Sequence, residues 1–357
     1  MRRIVRIAAY CLIASISFAC ALREDTPRSV ILFIGDGMGP GQIEAGRAYL
    51  GRALSFESFP ARAIVRTDNA YGEVTDSAAS ATAMATGVKV ANGVLSLALP
   101  GSGEELETIL ERVSSQGWRT GLATTVYTTH ATPAAFGAHD ASRVNYDAIA
   151  DDYMSGSRPS LILGGGANGL DEVEAVAAGY LVVDSKEELA SVSMTTTIPI
   201  AGLFGTGYLP YEYDGGPNVA GYPDLDDMTR EAIRLLENAE GGFFLMVESG
   251  LIDQAAHRND AARMVGEVVA LDRAVTEALS WASDRSDVLI IVTADHETGG
   301  ITSVADTGTG NIPAVTWTTT GHTATPVDLY AYGAGSERFL TILDNTDIHA
   351  ALLELLD

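Results

Sequence analysis

The stretch VLIIVTADHETGG, residues 288–300, runs from five consecutive aliphatic residues into a carboxylate and an imidazole, Asp295 and His296. A strand buried on both faces of a parallel sheet reads as an unbroken Val/Ile/Leu run, and open α/β sheets bind ligands outside the carboxyl ends of their strands. The order of these residues therefore predicts an α/β fold with Asp295 and His296 at a reactive edge. For the dipeptide alone a local role stays open, with Asp295 capping the next turn and His296 hydrogen-bonding nearby.

Other apolar runs end the same way. In SVILFIGDGMG, residues 29–39, Asp36 follows Val30 to Ile34, and Gly35, Gly37 and Gly39 let the backbone turn sharply beside it. The spacing lacks both the dinucleotide fingerprint and the P-loop lysine, so a nucleotide loop is set aside. Phe243 to Val247 lead into Glu248, and the segment continues as SGLIDQAAH to residue 257. Asp253 and His257 are four apart, which on a helix places both on one face for a single cation, although such a pair by itself is more often a surface hydrogen bond. His322 sits in TTGHTATPV, residues 319–327, a Gly/Thr-rich loop without apolar periodicity. His and Asp donors suit zinc, whereas Thr132 and Glu248 suit magnesium. In TDSAASATAMATG, residues 75–87, Ser77 precedes an alanine-rich helical stretch. There the backbone N–H groups favour an anion and an adjacent cation would activate the hydroxyl, but a plain N-cap serine is the alternative.

The runs at 30–34, 161–163, 243–247 and 288–292 alternate with helical patterns. This predicts a three-layer α/β sandwich with a mostly parallel central sheet and helices on both faces. Met264, Val265, Val268, Leu271, Val275 and Leu279 recur at helical spacing within 259–281 and read as core. Gly164, Gly165 and Gly166 are expected to mark a tight turn with no phosphate role, and 201–223 an irregular surface loop or interface element. No repeat, coiled coil or internal membrane span is visible.

Arg2, Arg3 and Arg6 precede an apolar stretch from Ile7 to Ala19 and the small residues Ala19, Cys20 and Ala21. This reads as an export signal over 1–21, leaving a single catalytic domain over 22–357 in the periplasm or outside the cell. Lipidation at Cys20 is the alternative to cleavage after Ala21, although Ser17 and Phe18 make a poor lipobox. Cys11 and Cys20 are the only cysteines, so a chain cut after Ala21 carries no disulfide. Loss of the three arginines takes the formal net charge from −25 to −28, and Lys89 and Lys186 are the only lysines. Such acidity excludes nucleic-acid binding and suggests a saline setting, in which salt screens the self-repulsion. Activity that falls steadily toward molar salt would instead mark an ordinary acidic secreted enzyme.

Six ordered motifs, IGDGMG at 34–39, TDSAASATAMATG, THATPAAFGAHDASR at 129–143, MVESGLIDQAAH at 246–257, TADHETGG at 293–300 and TTGHTATPV, strongly resemble the alkaline phosphatase family over about residues 29 to 332. The resemblance implies that Ser77 attacks phosphorus, forming a phosphoserine that metal-activated water hydrolyses, with net retention at phosphorus. It implies one zinc at Asp253, His257 and His322 and a second at Asp36, Asp295 and His296. It further implies a magnesium at Asp36, Thr132 and Glu248, whose bound water or hydroxide helps deprotonate the serine. Arg143 matches the family's phosphate-binding arginine, a planar fork suited to two phosphate oxygens. Small phosphate monoesters are the implied substrates and a homodimer the implied assembly, without the large crown-like insertions of some relatives.

Two residues depart from the best-known bacterial pattern. His130 stands where that pattern has a carboxylate, leaving a weaker third site, a different ion, or a role for His130 through water. Gln254, which follows Asp253, replaces a residue that is often Lys, His or Trp, so product phosphate should be held more loosely. The rival readings are a phosphodiesterase or sulfatase of the same superfamily, and an inactive phosphate- or metal-binding protein.

Overall fold

A computed structural model describes residues 26–356; the export signal expected at 1–21 lies outside them. Its centre is a nine-stranded sheet in the order β2-β13-β8-β1-β7-β3-β4-β6-β5. The strands are β1 (Ser29–Gly35), β2 (Ala61–Val65), β3 (Arg119–Tyr127), β4 (Leu161–Gly165), β5 (Leu181–Val183), β6 (Ile200–Leu203), β7 (Phe243–Ser249), β8 (Val288–Ala294) and β13 (Val327–Gly333). β13 alone runs opposite to the other eight strands. The expected runs form β1, β4, β7 and β8, and every residue of β1, β7 and β8 is buried, as unbroken aliphatic stretches require.

Helices cover both faces. Pro40–Leu50, Leu225–Leu236 and Ala261–Ala282 pack together on one side, and Ile109–Ser115, Ser77–Thr86, Ala131–Gly137 and Asn345–Leu356 on the other. The long helix Ala261–Ala282 begins at Asp260, whose carboxylate accepts from the Arg263 N–H at 3.1 Å, and it buries Met264, Val265, Val268, Leu271 and Val275 as the periodicity predicts; Leu279 is partly buried against the same core. Short pairings complete the rim of the sheet: β9 (Glu297–Thr298) with β12 (His322–Thr323), and β10 (Ser303–Ala305) with β11 (Ala314–Thr316). No helix among the described residues is long and apolar enough to cross a membrane.

Two expectations are corrected. Gly164 and Gly165 do not turn the chain; they extend β4. A Cβ on Gly165 would lie 1.6 Å from the Gly207 carbonyl oxygen, so the glycine admits a close backbone crossing. The segment 201–223 is not irregular throughout, because Ile200–Leu203 forms a buried strand before the chain enters short 3₁₀ turns at Glu212–Asp214 and Pro217–Ala220.

Candidate active site

The register of the central strands brings the site together. Gly35 at the end of β1 lies beside Ser249 of β7 and Ala294 of β8, so Asp36, Glu248 and Asp295 emerge side by side. Gly37 makes the turn after β1 with φ +72°; a Cβ there would sit 2.9 Å from Thr298 Oγ1 and 3.0 Å from Asp253 Cα. Its N–H donates to Asp295 Oδ1 at 3.0 Å, and the His296 N–H donates to the same oxygen at 2.9 Å. The local capping role of Asp295 is thus real, but it uses one oxygen and leaves Oδ2 free.

Ser77 opens the helix Ser77–Thr86, yet it is not the N-cap. Asp76 takes that role, accepting from the Ala79 N–H at 3.0 Å, which leaves the Ser77 hydroxyl to face the pocket 3.3 Å from His296 Nε2. The second oxygen of Asp76 accepts from Arg143 Nη1 at 3.1 Å and from the Gly93 N–H at 3.0 Å. One carboxylate therefore fixes the start of this helix and the guanidinium that faces it. The rule that Asp precedes a helix and caps it would have found this residue.

Three donor clusters form among the described residues: Asp253, His257 and His322; Asp36, Asp295 and His296; and Asp36, His130 and Glu248. In the first, His257 Nδ1 contacts the Thr320 carbonyl at 2.5 Å and His322 Nδ1 the Thr75 carbonyl at 2.9 Å. A carbonyl only accepts, so each Nδ1 carries the hydrogen and each Nε2 presents a lone pair. Those two Nε2 atoms are 3.2 Å apart, with Asp253 Oδ2 3.2 Å from His257 and Asp253 Oδ1 3.6 Å from His322. Converging lone pairs and a carboxylate call for a cation between them. In the second cluster, His296 Nε2 lies 3.2 Å from Asp295 Oδ2 and 3.6 Å from Asp36 Oδ1. The imidazoles of His296 and His322 stack with centroids 3.6 Å apart, joining the two clusters.

Buried orphan atoms point the same way. Both carboxylate oxygens of Asp36, Asp295 Oδ2, Glu248 Oε1 and Thr132 Oγ1 are buried without a hydrogen-bond partner. Unpartnered acceptors of this kind cost several kcal/mol each when charged, so the clustering of these carboxylates fits bound cations. Without cations the carboxyls hold protons instead. Burial and then the neighbouring carboxylates push Asp36 well above the usual range, and burial lifts Glu248 to about 7 and Asp295 to about 6. Asp253 goes the other way: burial opposes ionisation, but with no cation present a protonated His257 donates to it from Nε2, and this bond with the charges of the surrounding histidines holds it low.

The third cluster brings His130 beside the two carboxylates. His130 packs among Asp36 and Glu248, and burial followed by the Arg143 charge pushes its pKa down to about 3, so the ring is neutral. Arg143 Nη2 reaches His130 Nε2 at 3.3 Å, so an ion that used this nitrogen would compete with the arginine. Thr132 lies fully buried in Ala131–Gly137, and Glu248 Oε2 is held by the Thr124 hydroxyl.

Gln254 donates to Asp253 Oδ2 at 3.3 Å, as its position beside a ligand candidate suggests. Thr298 was not anticipated. Its hydroxyl donates to Asp253 Oδ1 at 2.6 Å and lies 3.2 Å from His296 Nδ1, linking the first cluster to the second. Threonine in TADHETGG carries no signal of its own; only the fold reveals that it bridges.

A family model described as Alkaline phosphatase matches residues 27–313. The chain is 37% identical over 303 residues to alkaline phosphatase 3 of Bacillus subtilis, covering 79% of this chain but 64% of that protein, under two thirds of its length. It is 34% identical to streptomycin-6-phosphate phosphatase of Streptomyces griseus, covering 90% of this chain and 88% of the relative. Among solved structures, a histidine-to-aspartate variant of the TAB5 alkaline phosphatase with magnesium in its M3 site superposes with TM-score 0.81 at 29% identity, over 93% of this chain and 98% of that one. The unaltered protein, from the Antarctic bacterium TAB5, gives a TM-score of 0.80 over the same shares of the two chains.

Proposed function

Because the chain belongs to the alkaline phosphatase family, we propose that it is a metal-dependent phosphomonoesterase that passes the phosphoryl group of a small ester first to Ser77 and then to water. The observation that carries this reading is that the orphaned Asp36 carboxylate and a serine hydroxyl freed from capping flank the same His296 Nε2, at 3.6 and 3.3 Å. Two zinc ions, at Asp253, His257 and His322 and at Asp36, Asp295 and His296, with magnesium at Asp36, Thr132 and Glu248, would supply positive charge at both in-line oxygens and lower the pKa of hydroxyl and water.

The chain's own residues do the rest. Ser77 Oγ forms the new bond to phosphorus as the ester bond breaks and the alcohol departs. Backbone N–H groups at the start of Ser77–Thr86 face the phosphoryl oxygens, and Arg143, held by Asp76, binds two of them. Water then displaces Ser77 from the opposite side, so two inversions give net retention. Quenching turnover in acid with labelled substrate should trap label on the peptide containing Ser77; label on another residue, or none during a measured burst, would contradict the phosphoserine.

Two supporting residues give checks of their own. Thr298→Val removes the link between Asp253 and His296 and should weaken zinc binding about 10- to 100-fold, read by titration of the metal-stripped protein. Gln254 offers an amide where relatives often have a cation, so product phosphate leaves readily. Gln254→Lys should strengthen phosphate inhibition and lower kcat if release limits it; equal inhibition constants in the two proteins would reject this.

The N-terminal pattern of arginines, apolar run and small residues supports export to the periplasm or beyond, with cleavage after Ala21. The acidity supports tolerance of salt, and family habit supports a homodimer.

A further inference from the structure

The proposed reaction leaves one group of side chains unused, an aromatic wall beside Arg143. Tyr127, at the end of β3, stacks on Tyr208 with centroids 5.5 Å apart and planes 3° from parallel. It also meets Tyr146 and His130 edge-on at 5.4 and 5.2 Å, and its hydroxyl donates to that of Tyr146 at 3.0 Å. Tyr208 is edge-on to His130 at 6.3 Å, and His130 in turn contacts the Arg143 guanidinium. The wall thus reaches the arginine assigned to phosphate.

Tyr208 is the exposed member, 42% open even though Tyr127 covers one face of its ring. Its segment is pinned on both sides. The Phe204 N–H donates to the Gly164 carbonyl at 2.8 Å and the Leu209 N–H to the Thr125 carbonyl at 2.9 Å. The field of the site reaches the ring: beyond the effect of burial, Asp36 raises the phenol pKa and Arg143 lowers it. A partly exposed aromatic ring beside the His130 that adjoins Arg143, backed by a second ring, is suited to stacking a planar group.

We propose that Tyr208, backed by Tyr127, is a stacking platform for the aromatic part of a nucleoside or aryl monophosphate whose phosphoryl group sits at Arg143 and Ser77. This rests on the phosphomonoesterase reading and narrows its substrate class. The net charge of −25 repels polyanionic strands, so the ligand is a free monoester and not a nucleic-acid end.

The test compares adenosine 5′-monophosphate with glycerol 3-phosphate in wild type, Tyr208→Ala and Tyr208→Phe. The ratio of their kcat/KM values should fall about tenfold in Tyr208→Ala and hold in Tyr208→Phe. An unchanged ratio in Tyr208→Ala overturns the platform. Calorimetry with the non-hydrolysable phosphonate analogue of adenosine monophosphate, against methylphosphonate, reads the same site without turnover. Wild type should bind the adenosine compound about tenfold more tightly, and Tyr208→Ala should erase the difference. If wild type hydrolyses no monoester the parent reading fails, while this binding difference still decides the platform: its absence overturns it, and its presence with loss in Tyr208→Ala upholds it.

Discussion

Ser77→Ala is expected to lower phosphomonoester turnover by roughly 10⁴-fold or more, the loss typical of deleting a nucleophile, while metal content and Tm stay near wild type. The reason lies in how the helix start is built. Asp76 caps it and Ser77 makes no capping bond, so the substitution removes a hydroxyl whose recorded contact is His296 Nε2 at 3.3 Å. Alanine is also the best helix former, and the rest of Ser77–Thr86 is mostly alanine and buried. If Ser77 were a structural cap instead, Ser77→Ala would lower Tm and spare kcat. Rates with p-nitrophenyl phosphate beside a thermal melt separate these outcomes.

The second large effect is on stability and depends on pH. Chelation should lower Tm by on the order of 10 °C at pH 8, since each site held at a thousand times its Kd stabilises the fold by about 4 kcal/mol. The gap between loaded and stripped protein should shrink as pH falls from 8 to 5. In the stripped protein Glu248 titrates near 7, Asp295 near 6 and Asp36 also well above its ordinary value, so below these values protons occupy oxygens that a cation needs. The sign for the stripped protein follows from the raised values. A carboxyl with a raised folded pKa adds stability that is complete below its unfolded pKa and is lost as pH climbs through the folded one. His130 and His296, whose pKa values burial lowers, act oppositely but only below about 6.5, so from 6.5 to 8 the stripped protein loses stability as pH rises. His139, raised to about 9, and Glu267, raised to about 8, titrate in both forms and cancel from the difference. A Tm gap that stays constant from pH 5 to 8 would contradict metal binding at these carboxyls.

The strongest elements were legible because burial on both faces selects long runs of apolar side chains. β1, β7 and β8 each carry a run of five apolar residues, with Asp36 and Asp295 just beyond the ends of β1 and β8 and Glu248 near the end of β7, and parallel register alone makes those acids neighbours. β3 was not anticipated, although it is buried at the heart of the sheet, because Thr120, Gly121, Thr124 and Thr125 interrupt its apolar pattern. Thr124 is there for its hydroxyl, which holds Glu248. β5, β6 and β13 are short, glycine-bearing or antiparallel, and glycine pairs such as Gly164 and Gly165 mimic a turn when they serve a close backbone crossing. The ligand candidates were legible because Asp and His cannot be buried cheaply without a partner. Thr298 and Tyr208 were not, because their roles depend on contacts across 45 and 81 positions of chain that periodicity does not encode, and for Asp76 the cap is legible but the contact with Arg143, 67 positions away, is not.

The most direct measurement is the hydrolysis of p-nitrophenyl phosphate by purified protein at alkaline pH, beside a bis-ester and a sulfate ester, after chelation and again after zinc and magnesium are restored. The account predicts strong preference for the monoester, loss on chelation and recovery with the metals. Preference for the bis-ester or sulfate, or metal binding without any turnover, would contradict it.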